Sequence, residues 1–154
     1  MSTVVPLSDD LYEQALHLRP SSDQEKWSGT AGTILIRAKA NPTQHVFLIL
    51  DDEEPAGIFV LDTAPSIPLP GIDLQLHSFF IDQRLQGRGL ATDAIAQIES
   101  VIRTYFPAIH LLGLAVNVQN PIAYRLYRVH GFTEADQKYL GGSRGPEHML
   151  SMAF

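Results

Sequence analysis

The segment Gln86-Gly87-Arg88-Gly89-Leu90-Ala91 places two glycines and an arginine where a strand pattern gives way to a helix pattern. The first N–H groups of a helix have no partners within the helix, and the helix dipole adds partial positive charge there. Glycine lets the backbone approach a ligand closely, and arginine can add a charge-assisted hydrogen bond. These residues therefore predict a site for an anion such as phosphate. The alternative is a plain glycine-rich turn into a helix.

Two other phosphate-binding patterns do not fit the same residues. A dinucleotide-binding fingerprint would require a third glycine at position 92, where the chain has Thr92. A P-loop would require a Gly-Lys-Ser or Gly-Lys-Thr run, and the sequence contains neither. The segment therefore matches neither of these nucleotide-binding loops.

Two side chains have the chemistry for proton transfer. His77 lies on the strand pattern before the glycines, with a side chain that titrates near neutral pH. A period of two would place it on the same face as Phe79 and Ile81. Tyr127 lies in a helix pattern, and its phenol can donate a proton or a hydrogen bond. Residue type alone favours other interpretations: a satisfied histidine at a sheet surface, and a core aromatic beside Leu126.

Acidic side chains could recognise a cationic amine or relay its proton. Glu53 and Glu54 lie in a predicted hairpin turn, and Asp73 lies at the start of the strand that carries His77. Their alternative is an ordinary solvated acidic surface. No general base can be assigned from the sequence.

Other catalytic classes find little support. The chain has no cysteine, which excludes thiolate nucleophiles, thiolate metal sites and disulfides. Ser78 and Ser143 are outside any Gly-x-Ser-x-Gly elbow, so neither a hydrolase nor a covalent acyl-enzyme is expected. No metal is expected either, because the remaining histidines have no metal-ligand spacing: His17, His45, His110, His130 and His148.

The hydrophobic pattern predicts one mixed α/β domain over residues 1–154. Helices are predicted for SDDLYEQALHL with Ser8 as N-cap, for TAGTILIRAKA in preference to a strand, for GRGLATDAIAQIESVIRTYF and for PIAYRLYRVHG. Strands are predicted for STVVPL, HVFLIL, AGIFVLDT, IDLQLHSFFI, AIHLLGLAV and a final pair, FTEADQKYL and EHMLSMAF. RPSSDQEKW is a polar interruption. Crossover helices after Asp82 and Asn120 predict some parallel pairing.

One long helix has a continuous apolar stripe, which predicts that it packs on the sheet. The stripe consists of Leu90, Ala94, Ile95, Ile98, Val101, Ile102 and Tyr105.

The charge and composition of the chain limit the classes of partner that it is expected to bind. The net charge of -6 argues against nucleic-acid binding and suits a small cationic substrate. No apolar run is long enough to span a membrane, and the first residues lack the features of a secretory signal. A cytoplasmic location is the expectation.

Two motifs resemble those of the GCN5-related N-acetyltransferases, the GNAT superfamily. QGRGLA matches the family pattern as Gln86-x-x-Gly89-x-Ala91. NPIAYRLYRVHGF has the family's spacing of Asn120, Ala123, Leu126-Tyr127 and Gly131-Phe132. The element order is similar over nearly the whole chain. The resemblance implies an α/β (α+β) GNAT fold: a mostly antiparallel sheet of about seven strands, splayed between the fourth and fifth, with about four helices.

The same resemblance implies acetyl-CoA as cosubstrate and a direct transfer to an amine. The pyrophosphate would be held by backbone amides from Gln86 to Ala91 (Gln86, Gly87, Arg88, Gly89, Leu90 and Ala91). The pantetheine arm would lie in the splayed gap, beside Phe79, Phe80, Ile81 and Asp82. Asn117 and Asn120 would contact CoA, and Tyr127 would protonate the departing thiolate.

The acceptor is the least determined feature. Within the superfamily, the sequence more specifically resembles small bacterial enzymes that acetylate polyamines or similar amines. The negative net charge of the chain agrees with a cationic acceptor of this kind. An amino acid, an aminoglycoside, a peptide N-terminus and a longer acyl donor stay open. A binding-only acyl-CoA domain is the alternative function, and a homodimer is suggested by resemblance alone. The loop from Tyr139 to His148 would cover the acceptor or be a surface loop.

Overall fold

A computed structural model describes residues 2–154 and shows a seven-stranded sheet in the order β1-β2-β3-β4-β5-β7-β6. The strands are β1 (Ser2–Pro6), β2 (Gln44–Asp51), β3 (Glu54–Asp62), β4 (Leu74–Ile81), β5 (Leu111–Asn117), β6 (Thr133–Glu134) and β7 (Glu147–Ala153). All neighbouring strands are antiparallel except β4 and β5. The mixed, mostly antiparallel sheet agrees with the predicted fold class.

The second predicted crossover does not create a parallel neighbour. β7 inserts between β5 and β6 and runs antiparallel to both. The strand that follows this crossover, β6, is therefore pushed to the edge of the sheet.

Among residues 2–154, six α-helices flank the sheet: α1 (Asp9–Leu16), α2 (Ser22–Ser28), α3 (Ala31–Ala40), α4 (Leu90–Ala96), α5 (Ile98–Tyr105) and α6 (Pro121–Val129). The helical interpretation of TAGTILIRAKA is confirmed as α3, whose N-cap Thr30 accepts a hydrogen bond from the Thr33 amide. The prediction was wrong for RPSSDQEKW, which contains α2. The seven residues of α2 are mostly polar and show no hydrophobic period, so the sequence pattern does not reveal the helix. The helix becomes evident only in the structure, where Ser28 is buried.

The long helix predicted after the glycines is divided into α4 and α5 at Gln97, whose backbone stays near helical at φ -92° and ψ -3°. The predicted apolar stripe is buried from Leu90 to Ile102, but Tyr105 is 45% exposed.

The sheet is covered on both faces. One apolar cluster joins α1 and α3 to Val46, Leu48, Ile58, Val60 and Phe80. A second and larger cluster joins α4, α5 and α6 to the opposite face, including Phe59 and Ile81. Because alternate side chains of β3 enter both clusters, this strand is an almost continuous apolar run.

The parallel strands β4 and β5 separate soon after they meet. They pair only at Leu74 with Leu112 and at Gln75 with Gly113. Beyond Gln75, the edge of β4 that faces β5 pairs with no other strand among residues 2–154. The predicted splay between the fourth and fifth strands is therefore present, and it opens the sheet toward the glycine segment.

β4 contains a bulge at Ser78 and Phe79. On β3, Val60 pairs with His77 and Ile58 pairs with Phe80, so two residues of β4 oppose Phe59 alone. Ser78 has φ +59°, which is rare for a residue with a side chain. The bulge changes which face each later side chain occupies.

Gly57 lies where β3 and β4 pack too closely for a side chain, beside this bulge. A Cβ atom there would lie 2.8 Å from Ile81 Cδ1 and 2.9 Å from the Phe80 carbonyl oxygen. We expect Gly57→Ala to lower the free energy of unfolding by about 1–3 kcal/mol, the usual cost of overpacking. Urea denaturation measures the change. Gly32→Ala in α3, where a Cβ meets nothing within 4 Å, is the control and should not destabilise. Equal effects of the two substitutions would contradict this account.

Candidate active site

A cleft of about 670 Å³ lies in the gap between β4 and β5. One wall is the end of β4, a second is the glycine segment with the start of α4, and a third is α6. Ten of the predicted cofactor-binding residues line it: Phe79, Phe80, Ile81, Gln86, Gly87, Gly89, Leu90, Ala91, Asn120 and Tyr127. The fold thus brings the two sequence motifs, about 30 residues apart, to one cavity.

The glycine segment leaves its backbone open to this cleft. Gly87 and Gly89 have φ +81° and +79°, a conformation that side chains disfavour. A Cβ at either position would meet nothing within 4 Å, so packing does not require glycine there. Gly89 is also the residue that precedes α4, whose first amides lack helical partners. The two glycines therefore shape an open backbone cradle at a helix start.

Asp82 fixes the segment that leads into the cradle. Its carboxylate is fully buried and accepts hydrogen bonds from the backbone N–H groups of Arg19 at 3.1 Å and Arg84 at 2.9 Å, and from Arg84 Nε at 3.0 Å. Burial would raise the pKa of Asp82, but these hydrogen bonds outweigh it and hold the pKa below the usual value. The Asp82 N–H group donates to the Ala56 carbonyl. Asp82 is thus engaged within the protein and does not line the cleft.

Tyr127 reaches the cleft from α6. Its side chain is 7% exposed and packs edge-on against Phe132, with ring centroids 5.5 Å apart. Burial raises its pKa, so the phenol stays protonated near neutral pH. Within residues 2–154 the hydroxyl makes no hydrogen bond. Tyr127 is therefore both a core aromatic and a free donor at the cleft wall.

A polar network holds α6 in place. Glu134 on β6 accepts hydrogen bonds from the Tyr124 hydroxyl at 2.5 Å and from His148 Nδ1 at 2.6 Å, and pairs with Arg128 at 3.2 Å. The Tyr124 hydroxyl and His148 hold the pKa of Glu134 at about 2. Because Tyr124 precedes Tyr127 by about one turn, the network sets the position of the cleft-facing phenol.

His77 belongs to an ordered group of three polar side chains. Its Nε2 lies 3.3 Å from Asp62 Oδ2 on the neighbouring strand, and its Nδ1 lies 2.8 Å from Ser78 Oγ. An ionised carboxylate can only accept, so Nε2 carries the proton, and Nδ1 accepts from the Ser78 hydroxyl. Burial lowers the pKa of His77 below 6.5, against the opposing hydrogen bond and charge of Asp62, and Arg37 lowers it further. His77 is therefore a neutral imidazole near pH 7.

The predicted face of His77 was wrong. Strict alternation would have placed it with Phe79 and Ile81, but the bulge at Ser78 adds a residue. His77 pairs with Val60 and lies on the same face as Phe80, whereas Phe79 and Ile81 contact the opposite cluster. Even so, His77 and Ser78 line the cleft, because the bulge lies at its wall.

A second cleft, of about 760 Å³, adjoins the first at His77. The two clefts share Trp27, Ser28, His77 and Ser78. The second one is bounded by α2, the end of α3, Asp62 on β3 and the loop that carries Arg144. A ligand in either cleft would therefore reach the same histidine and serine.

Several predicted residues lie outside both clefts. Arg88 does not line either one, and the Asn117 side chain donates to the Arg144 carbonyl and accepts from the Gln119 amide. Asp73 accepts from the amides of His110 and Leu111, so it ties β4 to β5. The carboxylates at positions 53 and 54 lie at the β2–β3 turn, away from both cavities.

Sequence reasoning missed Asp62, Ser78 and Trp27. The alignment of Asp62 with His77 depends on the register of β3 and β4 across the bulge, for which the sequence has no visible signal. The sequence indicated no base beside Ser78, whereas in the structure the Ser78 hydroxyl is hydrogen-bonded to His77, which is paired with Asp62. Trp27 was missed together with α2.

Across residues 2–154, no group of three or more histidine, aspartate or glutamate side chains is arranged to hold a metal ion. None of the helices in this range has the length and apolar character needed to cross a membrane.

Comparison with known proteins places these features in a family. Residues 7–132 match the family model described as Acetyltransferase (GNAT) family. An uncharacterised N-acetyltransferase, YbbJ of Bacillus subtilis (strain 168), is 26% identical over 125 residues, covering 79% of this chain and 78% of that protein.

Solved structures show the same fold. The spermidine N-acetyltransferase of Vibrio cholerae, in complex with CoA and spermine, superposes with a TM-score of 0.72 at 17% identity, over 99% of this chain and 95% of the other. The aminoglycoside acetyltransferase AAC(6')-Ib, in complex with paromomycin and acetyl-CoA, gives a TM-score of 0.76 at 15% identity, over 99% and 93%. The family match covers most of the chain and includes both motifs of the cleft, and the protein therefore belongs to the acetyltransferase (GNAT) family.

Proposed function

We propose that this protein transfers an acetyl group from acetyl-CoA to a primary amine of a small molecule. One observation carries the proposal: a single cleft joins an open glycine cradle to a buried, unpaired phenol and a histidine–carboxylate pair. The family supplies the reaction class, and GNAT structures related by fold contain CoA or acetyl-CoA.

The cleft suits the two ends of acetyl-CoA. The open amides at Gly87, Gly89 and Ala91 would hold the pyrophosphate, since no protein atom lies within 4 Å of the Cβ position of either glycine and the backbone there is open to a ligand. The unpaired edge of β4 from Phe79 to Ile81 would accept the amides of the pantetheine arm, much as it would accept another strand. The acetyl group would then lie near the bulge, between Tyr127 and Ser78.

Tyr127 is proposed as the general acid. The amine nitrogen attacks the thioester carbonyl carbon, and the C–S bond breaks with its electron pair on sulfur. The Tyr127 hydroxyl, raised in pKa by burial and without another partner, donates its proton to that thiolate. No acyl-enzyme is required, because the amine itself forms the new bond to carbon.

His77 is proposed as the base, with Ser78 as the proton relay and Asp62 as the positioning residue. The proton of the attacking amine passes to the Ser78 hydroxyl as that hydroxyl gives its own proton to His77 Nδ1. Asp62 holds Nε2–H and stabilises the imidazolium that results. This path uses the bulge directly, since the bulge places Ser78 beside the ring.

A polyamine is the acceptor suggested by the finer sequence match and the overall charge of -6. The spermine bound by the Vibrio protein is compatible with that suggestion. The second cleft is lined by three cations and two carboxylates, a balance that does not favour a polycation, so the proposed function is limited to a small primary amine.

The proposal is tested by CoA thiol release from acetyl-CoA with a panel of polyamines, amino acids, aminoglycosides and short peptides. Release above the hydrolysis background with one class would establish the transfer. Acetyl-CoA binding without release across the panel would favour a binding-only domain. Absence of acetyl-CoA binding would overturn the assignment of the glycine cradle.

Gly89→Glu should weaken acetyl-CoA binding by at least about tenfold, because the new side chain fills the cradle and its charge repels phosphate. Isothermal titration calorimetry measures the Kd. Gly131→Glu is the matched control, since Gly131 also has a positive φ of +94° and open space at Cβ but lies outside the cleft lining. Similar loss in both variants would indicate misfolding rather than a phosphate site.

A further inference from the structure

The second cleft carries positive charge in a protein that is negative overall. Its lining includes three cations, Lys26, Arg37 and Arg144, and two carboxylates, Glu25 and Asp62. The whole chain has a net charge of -6. The second cleft, which includes His77 but none of the glycine segment, therefore carries a charge opposite in sign to the net charge of the chain.

The two guanidinium groups are available to a ligand. Arg37 lies in the last turn of α3 and Arg144 in the loop between β6 and β7, and both are exposed. Within residues 2–154, neither guanidinium has an ion-pair or hydrogen-bond partner. Lys26, by comparison, lies over the Trp27 ring with its Nζ 4.9 Å from the centroid.

The anionic side of the cleft is largely engaged. Asp62 accepts from His77 and from the backbone N–H of Ala64 at 2.9 Å. Of the two carboxylates, Glu25 alone is left at the surface to meet a second positive charge. A polyamine would therefore place its additional ammonium groups against Arg37 and Arg144 at an energetic cost.

We propose that the acceptor is an amine that also carries a carboxylate, with the carboxylate bound by Arg37 and Arg144 and the amine directed to Ser78 and His77. This inference rests on the proposed function and names its substrate class. Guanidinium groups bind carboxylates through paired, charge-assisted hydrogen bonds. A cleft of about 760 Å³ is large enough for an amino acid or a short peptide.

The test compares acceptors that differ only in the carboxylate. Lysine is paired with cadaverine, tyrosine with tyramine and ornithine with putrescine. Binding of each to the protein–CoA complex is measured by saturation-transfer NMR, and transfer is measured by CoA release. We expect at least one carboxylate-bearing member to bind and react at least about tenfold better than its partner.

Arg37→Gln and Arg144→Gln are expected to remove this preference. They should raise KM for the carboxylate-bearing acceptor about tenfold and should not raise KM for its decarboxylated partner, whose ammonium groups no longer meet the removed charge. Lys39→Gln is the matched control, because Lys39 lies on the same helix, two residues from Arg37, and loses the same charge outside this cleft. It should leave both KM values unchanged.

The outcomes separate this inference from the proposed function. Preferred binding and transfer of putrescine or cadaverine would overturn the carboxylate assignment and leave the acetyltransferase activity intact. Carboxylate-dependent binding without CoA release would support the assignment and contradict the proposed reaction. Equal binding of both members in every pair, or equal loss in the Lys39 variant, would overturn it.

Discussion

Tyr127→Phe is expected to lower kcat for acetyl transfer about 100-fold, within the range found for loss of a general acid. The substitution removes only the hydroxyl, so the packing of the ring against Phe132 is kept. The thiolate must then leave without a proton donor from α6. KM for acetyl-CoA should stay within about twofold, because the hydroxyl acts on the sulfur as the C–S bond breaks. Steady-state kinetics with the best acceptor measures both constants.

Tyr105→Phe is the control for this prediction. Tyr105 is 45% exposed on α5 and lies outside both clefts. Its kcat should equal that of the wild type. A Tyr127→Phe protein that transfers acetyl groups at the wild-type rate would contradict the acid role and leave the fold assignment standing. A lower kcat with unchanged thermal stability would separate catalysis from loss of structure.

His77→Gln is expected to lower kcat about 100-fold as well, since the amine proton then has no acceptor in the site. It should also change the pH profile. Protonated His77 cannot accept a proton, and burial lowers its pKa below 6.5, so the wild-type kcat should fall on acidification with a midpoint below pH 6.5. The variant should lack this acidic limb. Measurement of kcat between pH 5 and pH 9 tests both points.

Two further variants make the His77 prediction specific. Asp62→Asn removes the negative charge and weakens the hydrogen bond that together raise the His77 pKa, so the acidic limb should move to lower pH while kcat falls. Arg37→Gln removes a charge that lowers this pKa, so the limb should move to higher pH. His17→Gln, at an exposed residue that follows the last turn of α1, should leave the profile unchanged. An unaltered acidic limb in His77→Gln would assign it to another group.

The sequence predicted most of the elements because each has a local pattern. The alternating and fully apolar runs gave β2, β3 and β4, and the stripe from Leu90 to Ile102 gave α4 and α5 as one helix. Local pattern failed where the segment was short or interrupted. α2 has seven mostly polar residues, and the bulge at Ser78 adds one residue whose insertion changes the face of His77.

Taken alone, the sequence determined the family, the glycine cradle and the candidate phenol, since these depend on residue type at short spacing. Gly87 and Gly89 predict a ligand-binding loop, because only glycine freely adopts the positive φ that the backbone has at these two positions. The tertiary structure decided how the proposed proton-transfer group is assembled. Asp62 meets His77 through the register of two strands, and Ser78 reaches the ring through a bulge. Such contacts depend on long-range pairing, which side-chain periodicity along one strand does not encode.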